Sequence, residues 1–183
     1  MRRVALALVH HPVLDRAGNV VTTAITNLDL HDIARSAHTY GVGDFFVAHP
    51  IAAQRELAER VRAHWTEGSG ARRIPDRSPA LAGLRIVASL DDAIATLGAP
   101  ELWVTSAERR GAVRDYASAR AALAHDGPPV LLVFGTGWGL APSVCDRATL
   151  QLEPIASPRA DGYNHLSVRA AAAIILDRLL GLR

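Results

Sequence analysis

Short apolar runs alternate with longer amphipathic segments along the whole chain. Six of these runs are dense in Val, Leu, Ile and Phe without regular polar alternation, as expected for strands that are covered on both faces. They lie at residues 4–9, 44–48, 85–88, 102–105, 130–134 and 149–152. The pattern therefore predicts six buried, mainly parallel strands.

Five segments between and after these runs have helical periodicity. They lie at residues 28–40, 52–65, 90–97, 112–125 and 167–180. In the first, apolar residues recur at helical spacing from Leu30 to Ala37, and Gly41 supplies a stop signal. Before the third, Ser89 and Asp92 have the spacing of an N-terminal cap. The alternation predicts an α/β fold with a mainly parallel six-stranded sheet and helices on both faces.

The size and composition suit one soluble domain over residues 1–183, since the chain is 49% hydrophobic and 21% charged. Its longest apolar run, 170–176, is much shorter than the ~20 residues that a membrane-spanning helix requires. The Gly- and Pro-rich segment 68–83 predicts an exposed loop. We therefore expect a cytoplasmic protein that does not bind a membrane.

The residue types exclude several kinds of chemistry. Cys145 is the only cysteine, which excludes an internal disulfide and a zinc site built from cysteines. All 20 basic residues are Arg, which excludes a Schiff-base lysine and the lysine of a P-loop. Arginine clusters at 55–62, 72–77 and 109–114 could bind phosphates, or they could form solvated surface balanced by nearby glutamates.

A buried strand at 130–134 runs directly into Gly135, Gly137 and Gly139. Glycine lets a backbone approach a ligand closely, and ligands of parallel sheets bind beyond the carboxyl ends of the strands. The alternative is a tight turn that needs glycine for geometry alone. The spacing is neither a dinucleotide-binding fingerprint nor a P-loop.

Near the C-terminus, Pro154 and Ile155 are followed by a polar loop that leads into a helix rich in small residues. The start of a helix has free N–H groups that suit an anionic group, and the alanine run 170–173 allows another backbone to pack closely. The alternative is an Asn or Ser cap on a core helix.

Near the N-terminus, His31 and Arg35 lie on one face of the first predicted helix, and Asp32 is three positions before Arg35. The alternative to a functional role is an exposed ion pair between Asp32 and Arg35, worth about 0.3–0.5 kcal/mol. A His and an Arg without further ligands do not make a metal site, and we predict none.

Taken in order, these stretches resemble the three motifs of the SPOUT RNA methyltransferases, over residues 4–183. The first corresponds to Asn27, Ala34-Arg35-Ser36-Ala37 and Gly41-Val42, the second to Phe134-Gly135 and Gly139-Leu140, and the third to Pro154-Ile155 and His165 through Ala171. The chain is most similar to a compact bacterial branch that is TrmD-associated and TrmH-like. It departs from the family at Thr136-Gly137-Trp138, where an acidic residue is common, and at His165 and Ser167, where serine and asparagine are usual.

The resemblance implies a deep C-terminal trefoil knot, a homodimer with the active site between subunits, and S-adenosylmethionine as cofactor. It implies an enzyme that methylates RNA, and tRNA is the expected substrate, at a ribose 2′-OH or a guanine base. The expected cofactor-binding residues are Thr105, Ser106, Phe134, Gly135, Thr136, Gly137, Gly139, Leu140, Pro154, Ile155, Asn164, His165 and Leu166.

The expected catalytic residues are Arg35, Asn164, His165 and Ser167. Arg35 would hold an RNA phosphate and favour the ionised acceptor, and the other three would polarise the acceptor or take its proton. Two alternatives remain open at this point: a non-catalytic α/β module that binds nucleotide or RNA, and a nucleotide-binding enzyme of another α/β family.

Overall fold

A computed structural model describes residues 1–109 and 111–182. Its strands are β1 (Val4–Val9), β2 (Val13–Leu14), β3 (Val20–Val21), β4 (Phe45–Ala48), β5 (Leu84–Val87), β6 (Glu101–Val104), β7 (Val130–Gly135) and β8 (Leu150–Gln151). Six of them form one sheet in the order β5-β4-β1-β7-β6-β8, and all neighbours in it are parallel. The six predicted strands and their parallel arrangement are confirmed.

Within the described residues, the helices comprise five that the sequence predicts and three shorter ones that it does not predict. They are α1 (Asn27–Thr39), α2 (Ala52–Thr66), α3 (Ser69–Arg73), α4 (Ser78–Ala82), α5 (Leu90–Leu97), α6 (Tyr116–Ala124), α7 (Pro142–Cys145) and α8 (Val168–Leu180). The predicted cap of α5 is confirmed: the Ser89 side chain accepts from the Asp92 N–H, and the Asp92 side chain accepts from the Ser89 N–H.

The sheet is covered on both faces, as predicted. On β1, Leu6 and Leu8 belong to the core beneath α1, α6 and α8, whereas Ala5 and Ala7 belong to the core beneath α5 and α7. Successive side chains of a strand point to opposite faces, so each strand contributes to both cores.

Two expectations about local structure are wrong. Segment 68–83 is not a simple loop, because it contains α3, a 3-10 turn at Pro75–Arg77, and α4, whose Ala80 and Leu81 are buried. The helix predicted from residue 112 begins at Tyr116, because Asp115 caps it and the backbone of Arg114 pairs with the C-terminal segment instead. The Arg114 N–H donates to Gln151 O at 2.8 Å, and the Glu153 N–H donates to Arg114 O at 2.9 Å.

The carboxyl ends of the parallel strands lie at one edge of the sheet, where the loops after β1, β4, β6 and β7 begin. The sequence did not predict the β2–β3 hairpin, which lies at this edge and contacts the loop after β7: Leu14 N–H donates to Gly139 O, and Trp138 N–H donates to Leu14 O, both at 2.9 Å. Among the described residues, no helix is long and apolar enough to cross a bilayer.

Candidate active site

The glycine loop after β7 folds back tightly on its own strand. A Cβ at Gly135 would lie 2.7 Å from Leu140 N and 2.9 Å from Gly139 C. Because both are backbone atoms, no side chain can be accommodated at Gly135 unless the loop moves. The turn geometry therefore accounts for this glycine.

Gly139, in the same loop, has a different environment. Its φ of +104° strongly favours glycine, yet a Cβ there would meet no atom within 4 Å. The backbone at Gly139 thus borders open space, as a segment that approaches a ligand requires.

The C-terminal loop lies beside the glycine loop. The Asn164 side-chain amide donates to Ile155 O at 2.7 Å, which joins the two ends of this loop. The His165 and Trp138 rings lie 5.9 Å apart between centroids, in an edge-to-face arrangement. The segments around Gly135, Ile155 and Asn164 therefore converge at one edge of the sheet.

Some of the predicted cofactor-binding residues have side chains that are buried or hydrogen-bonded within the chain, and others have side chains that are partly or fully exposed. Thr105 Oγ1 donates to Val133 O at 3.1 Å, and Ser106 Oγ accepts from the Glu108 N–H at 3.0 Å. Phe134 and Leu140 are buried in the core, so only their backbone atoms could contact a ligand. Pro154 and Ile155 are half-buried, and Leu166 is exposed.

The predicted catalytic residues have different partners. Ser167 caps α8, with Oγ accepting from the Ala170 N–H at 3.2 Å, and Asn164 bonds to Ile155 O as described. His165 is exposed, and its described contacts are to the rings of Trp138 and Tyr163. Arg35 is exposed on α1, and no described contact connects it to the loops of its own chain.

The ion pair between Asp32 and Arg35, the alternative to a functional role for Arg35, is not formed, because Arg169 is the partner of Asp32. Arg169, at the start of α8, lies 3.4 Å from Asp32 and donates to the nearly buried carboxylate of Asp29 at 2.8 Å. Asp29 also accepts from the Thr26 hydroxyl at 2.7 Å. Sequence reasoning missed Asp29 and Arg169, although the Thr26-x-x-Asp29 spacing is a helix-cap signal that could have indicated Asp29.

A buried pair of histidines lies behind the glycine loop, at the ends of β1 and β4. The centroids of the His10 and His49 rings are 5.4 Å apart. His49 Nδ1 accepts from the Ile51 N–H at 3.1 Å, so its proton is on Nε2, which donates to Thr23 O at 2.9 Å. His10 Nδ1 lies 3.0 Å from the Thr23 hydroxyl, which in turn contacts the Thr136 hydroxyl of the glycine loop.

Burial, and then the neighbouring His49, lower the pKa of His10 to about 4. His10 is therefore neutral at pH 7, and the hydrogen bonds through Thr23 connect it to the loop. Sequence reasoning missed this cluster, although a polar residue directly after a buried strand at the carboxyl edge is a usable signal.

The buried His10 makes stability depend on pH. Between pH 6.5 and 4 the unfolded chain binds a proton at His10 that the folded chain does not, so acid favours unfolding. We expect the free energy of unfolding to fall by about 1.4 kcal/mol per pH unit across this window from His10 alone, on the order of 3 kcal/mol in total. Urea unfolding of wild type and His10→Gln at several pH values measures the difference. Exposed His125→Gln is the control, and parallel curves for wild type and His10→Gln would contradict the account.

Several arginines of the predicted clusters interact with other residues of the chain. Arg55 donates to His49 O and Pro50 O, Arg62 pairs with Glu59 at 2.8 Å, and the Arg77 guanidinium lies 4.8 Å from the Trp65 ring centroid. For the first two clusters, these contacts favour a solvated surface over a phosphate-binding site. Arg110, in the third, lies outside the described residues.

Two cavities, of about 610 and 240 Å³, lie along α2 and the edge strand β5, away from the loops after β6 and β7. Among the described residues, no three His, Cys, Asp or Glu side chains come together as metal ligands.

A parallel sheet with a glycine loop at its carboxyl edge, and a C-terminal helix beside α1, defines an α/β protein whose candidate binding site lies at that edge. The chain belongs to the family of SAM-dependent RNA methyltransferases, whose model matches residues 3–181. The predicted class, an enzyme family that uses S-adenosylmethionine on RNA, is confirmed, and it is favoured over a non-catalytic module and over another α/β enzyme family.

Relatives and solved structures agree with this assignment. The chain is 48% identical over 185 residues to a tRNA (guanine-N(1)-)-methyltransferase of Nitratidesulfovibrio vulgaris, covering 98% of this chain and 42% of that protein. It is 36% identical over 181 residues to an uncharacterized protein of Aquifex aeolicus, covering 96% of this chain and 87% of that protein. The chain thus spans about two fifths of the tRNA methyltransferase that it matches.

The fold is that of the TrmH/SpoU group. The solved A. aeolicus TrmH/SpoU tRNA modifying enzyme superposes with a TM-score of 0.59 at 15% identity, covering 98% of this chain and 75% of that one. The predicted SPOUT fold class is confirmed by this likeness. The trefoil knot itself stays a prediction.

Proposed function

We propose that this chain binds S-adenosylmethionine in the loops at the carboxyl edge of the sheet and methylates RNA. The observation that supports it most is the convergence of the glycine loop, the 154–155 segment and the 163–165 segment in a chain of this family. The backbone of Gly139 borders open space, which fits a ligand held mainly by backbone atoms. When bound, S-adenosylmethionine supplies a methyl group on a positively charged sulfur.

Among the residues at this edge, His165 is the side chain that we propose as proton acceptor. Asn164 and Ser167 have structural partners, so we assign them to holding the loop and the start of α8 and to polarising the acceptor. The imidazole of His165 is exposed and can take the proton of a ribose hydroxyl or a guanine ring N–H, neither of which is a good nucleophile while it keeps that proton.

We further propose that the active chain is a homodimer, with Arg35 serving the site of the partner subunit. Arg35 is exposed on α1 and has no described contact with the loops of its own chain. The exposed apolar side chains of Leu28, which is 62% exposed, and Leu166, which is 46% exposed, would gain from burial between two copies. In that position, Arg35 would hold an RNA phosphate and favour the ionised acceptor.

The substrate that we propose is tRNA, methylated at a guanine base or a ribose 2′-OH, by an enzyme of the cytoplasm. The N. vulgaris relative carries the name of a tRNA methyltransferase, and the matched part is 42% of that protein. We also infer that the C-terminal segment threads a trefoil knot. The pairing of Arg114 with Gln151 and Glu153 supports this, because it ties the loop after β6 to the segment before α8.

A transfer assay tests the proposal. Wild-type protein with methyl-labelled S-adenosylmethionine and bulk tRNA is expected to place label in RNA, and nucleoside analysis of the digest distinguishes base from ribose methylation. His165→Ala is expected to lower transfer by about 100-fold or more, whereas His38→Ala, exposed at the end of α1, is not. Cofactor binding without transfer to any RNA would support the non-catalytic module instead.

A further inference from the structure

Two exposed aromatic rings lie together at the candidate active site. Trp138, from the glycine loop, is 54% exposed, and Tyr163, from the C-terminal loop, is 60% exposed. Both contact the ring of His165, at centroid distances of 5.9 and 5.6 Å. The two loops that surround the candidate cofactor site therefore each place a large ring at its surface.

The exposed aromatic side chains of this protein lie together at this site. The sequence has nine Phe, Trp and Tyr residues, and the other seven are buried or half-buried. Trp103 is 1% exposed, and Trp65 is partly covered by the Arg77 guanidinium. Exposing a large apolar ring is unfavourable, so an exposed group of rings marks a binding surface more often than a single exposed side chain does.

The surroundings of the rings are polar. Arg159 forms an ion pair with Asp161, its guanidinium lies 6.0 Å from the Tyr163 ring centroid, and Asp161 accepts from the Tyr163 N–H at 3.1 Å. These contacts hold the Tyr163 segment in place, and the charge of Arg159 is balanced by Asp161. Flat, exposed rings in polar surroundings match an unpaired nucleobase better than they match the apolar surface of a protein partner.

We propose that Trp138 and Tyr163 form a stacking site for an unpaired base of the RNA, next to the methyl-transfer site. This inference rests on the proposed function and adds to it the way in which the RNA is held. An enzyme that modifies a base or its ribose must reach nucleotides that are out of a regular helix, and aromatic side chains stabilise such bases by stacking, with little dependence on sequence.

The test uses a single-stranded decaribonucleotide, and the same strand with one abasic nucleotide, bound by wild type, Tyr163→Leu, Tyr163→Phe, Trp138→Leu and Trp138→Phe. Each leucine variant is expected to bind the intact strand about 5- to 150-fold more weakly, and each phenylalanine variant to stay near wild type. The abasic strand lacks one base but keeps all its phosphates. Wild type should therefore bind it more weakly than the intact strand, and the affinities of wild type and the leucine variants should differ less for it. Ile74→Ala, also exposed but between α3 and the 3-10 turn, is the control.

Three results would overturn the inference. The leucine variants could bind RNA as wild type does. Calorimetry could show that their affinity for S-adenosylmethionine falls as much as their affinity for RNA, which would mean that the rings bind the cofactor. They could change the mass of the assembly in sedimentation, which would assign the rings to a subunit contact. Failure of the proposed function is distinguishable, because wild type itself would then bind no S-adenosylmethionine or transfer no methyl group.

Discussion

Replacing Arg35 by alanine is expected to lower methyl transfer to RNA by about 100-fold or more, with S-adenosylmethionine affinity within about twofold of wild type. Arg35 is exposed on α1, so its removal leaves no buried charge and no cavity. Its proposed contacts are to the RNA and to the acceptor, not to the cofactor. Single-turnover transfer assays with calorimetry on the same samples measure both quantities, and Arg60→Ala, exposed on α2, is the matched control.

A mixing experiment tests whether Arg35 acts across the subunit interface. Arg35→Ala is refolded together with Gly139→Val, which is intended to block the cofactor loop. In mixed dimers one site combines an intact loop with the Arg35 of the other subunit, so activity should recover to about a quarter of wild type with random pairing. No recovery would mean that Arg35 serves its own chain, and loss of cofactor binding in Arg35→Ala alone would make Arg35 structural.

The second large effect is expected for Gly135→Ala. The new Cβ would lie 2.7 Å from Leu140 N and 2.9 Å from Gly139 C, and since these are backbone atoms the loop has to move. We expect the free energy of unfolding to fall by about 1–3 kcal/mol and S-adenosylmethionine affinity to fall by about tenfold or more.

Chemical denaturation and calorimetry measure these two changes. Gly43→Ala is the matched control, because a Cβ there meets no atom within 4 Å and its φ is not positive. Wild-type cofactor affinity in Gly135→Ala, together with the expected loss of stability, would mean that the loop is a structural turn and does not hold the cofactor.

The six strands could be predicted because parallel strands covered on both faces leave continuous apolar runs, as at Val4–Val9 and Val130–Gly135. Short elements left weaker signals. The strands of the β2–β3 hairpin have two residues each, too few for any periodicity to be visible. In segment 68–83, prolines that usually mark a loop instead stand in the first turns of short helices.

The sequence predicted the separate segments of the candidate site better than it predicted how they lie relative to one another. The glycine loop and the start of α8 have local signatures, but their proximity followed from the family resemblance and not from periodicity. The ion pair between Asp29 and Arg169 joins residues 140 positions apart, and no local pattern indicates such a contact. The same applies to the contact between Thr23 and Thr136, which depends on how the hairpin packs against β7.

We propose that the loops at the carboxyl edge of the sheet form a site for S-adenosylmethionine. Calorimetric titration of the wild-type protein with S-adenosylmethionine, ATP and NAD in turn tests it most directly. We expect saturable binding of S-adenosylmethionine, weakened in Gly135→Ala, and no comparable binding of ATP or NAD. Preferential binding of ATP or NAD, or no binding of S-adenosylmethionine by folded protein, would contradict it.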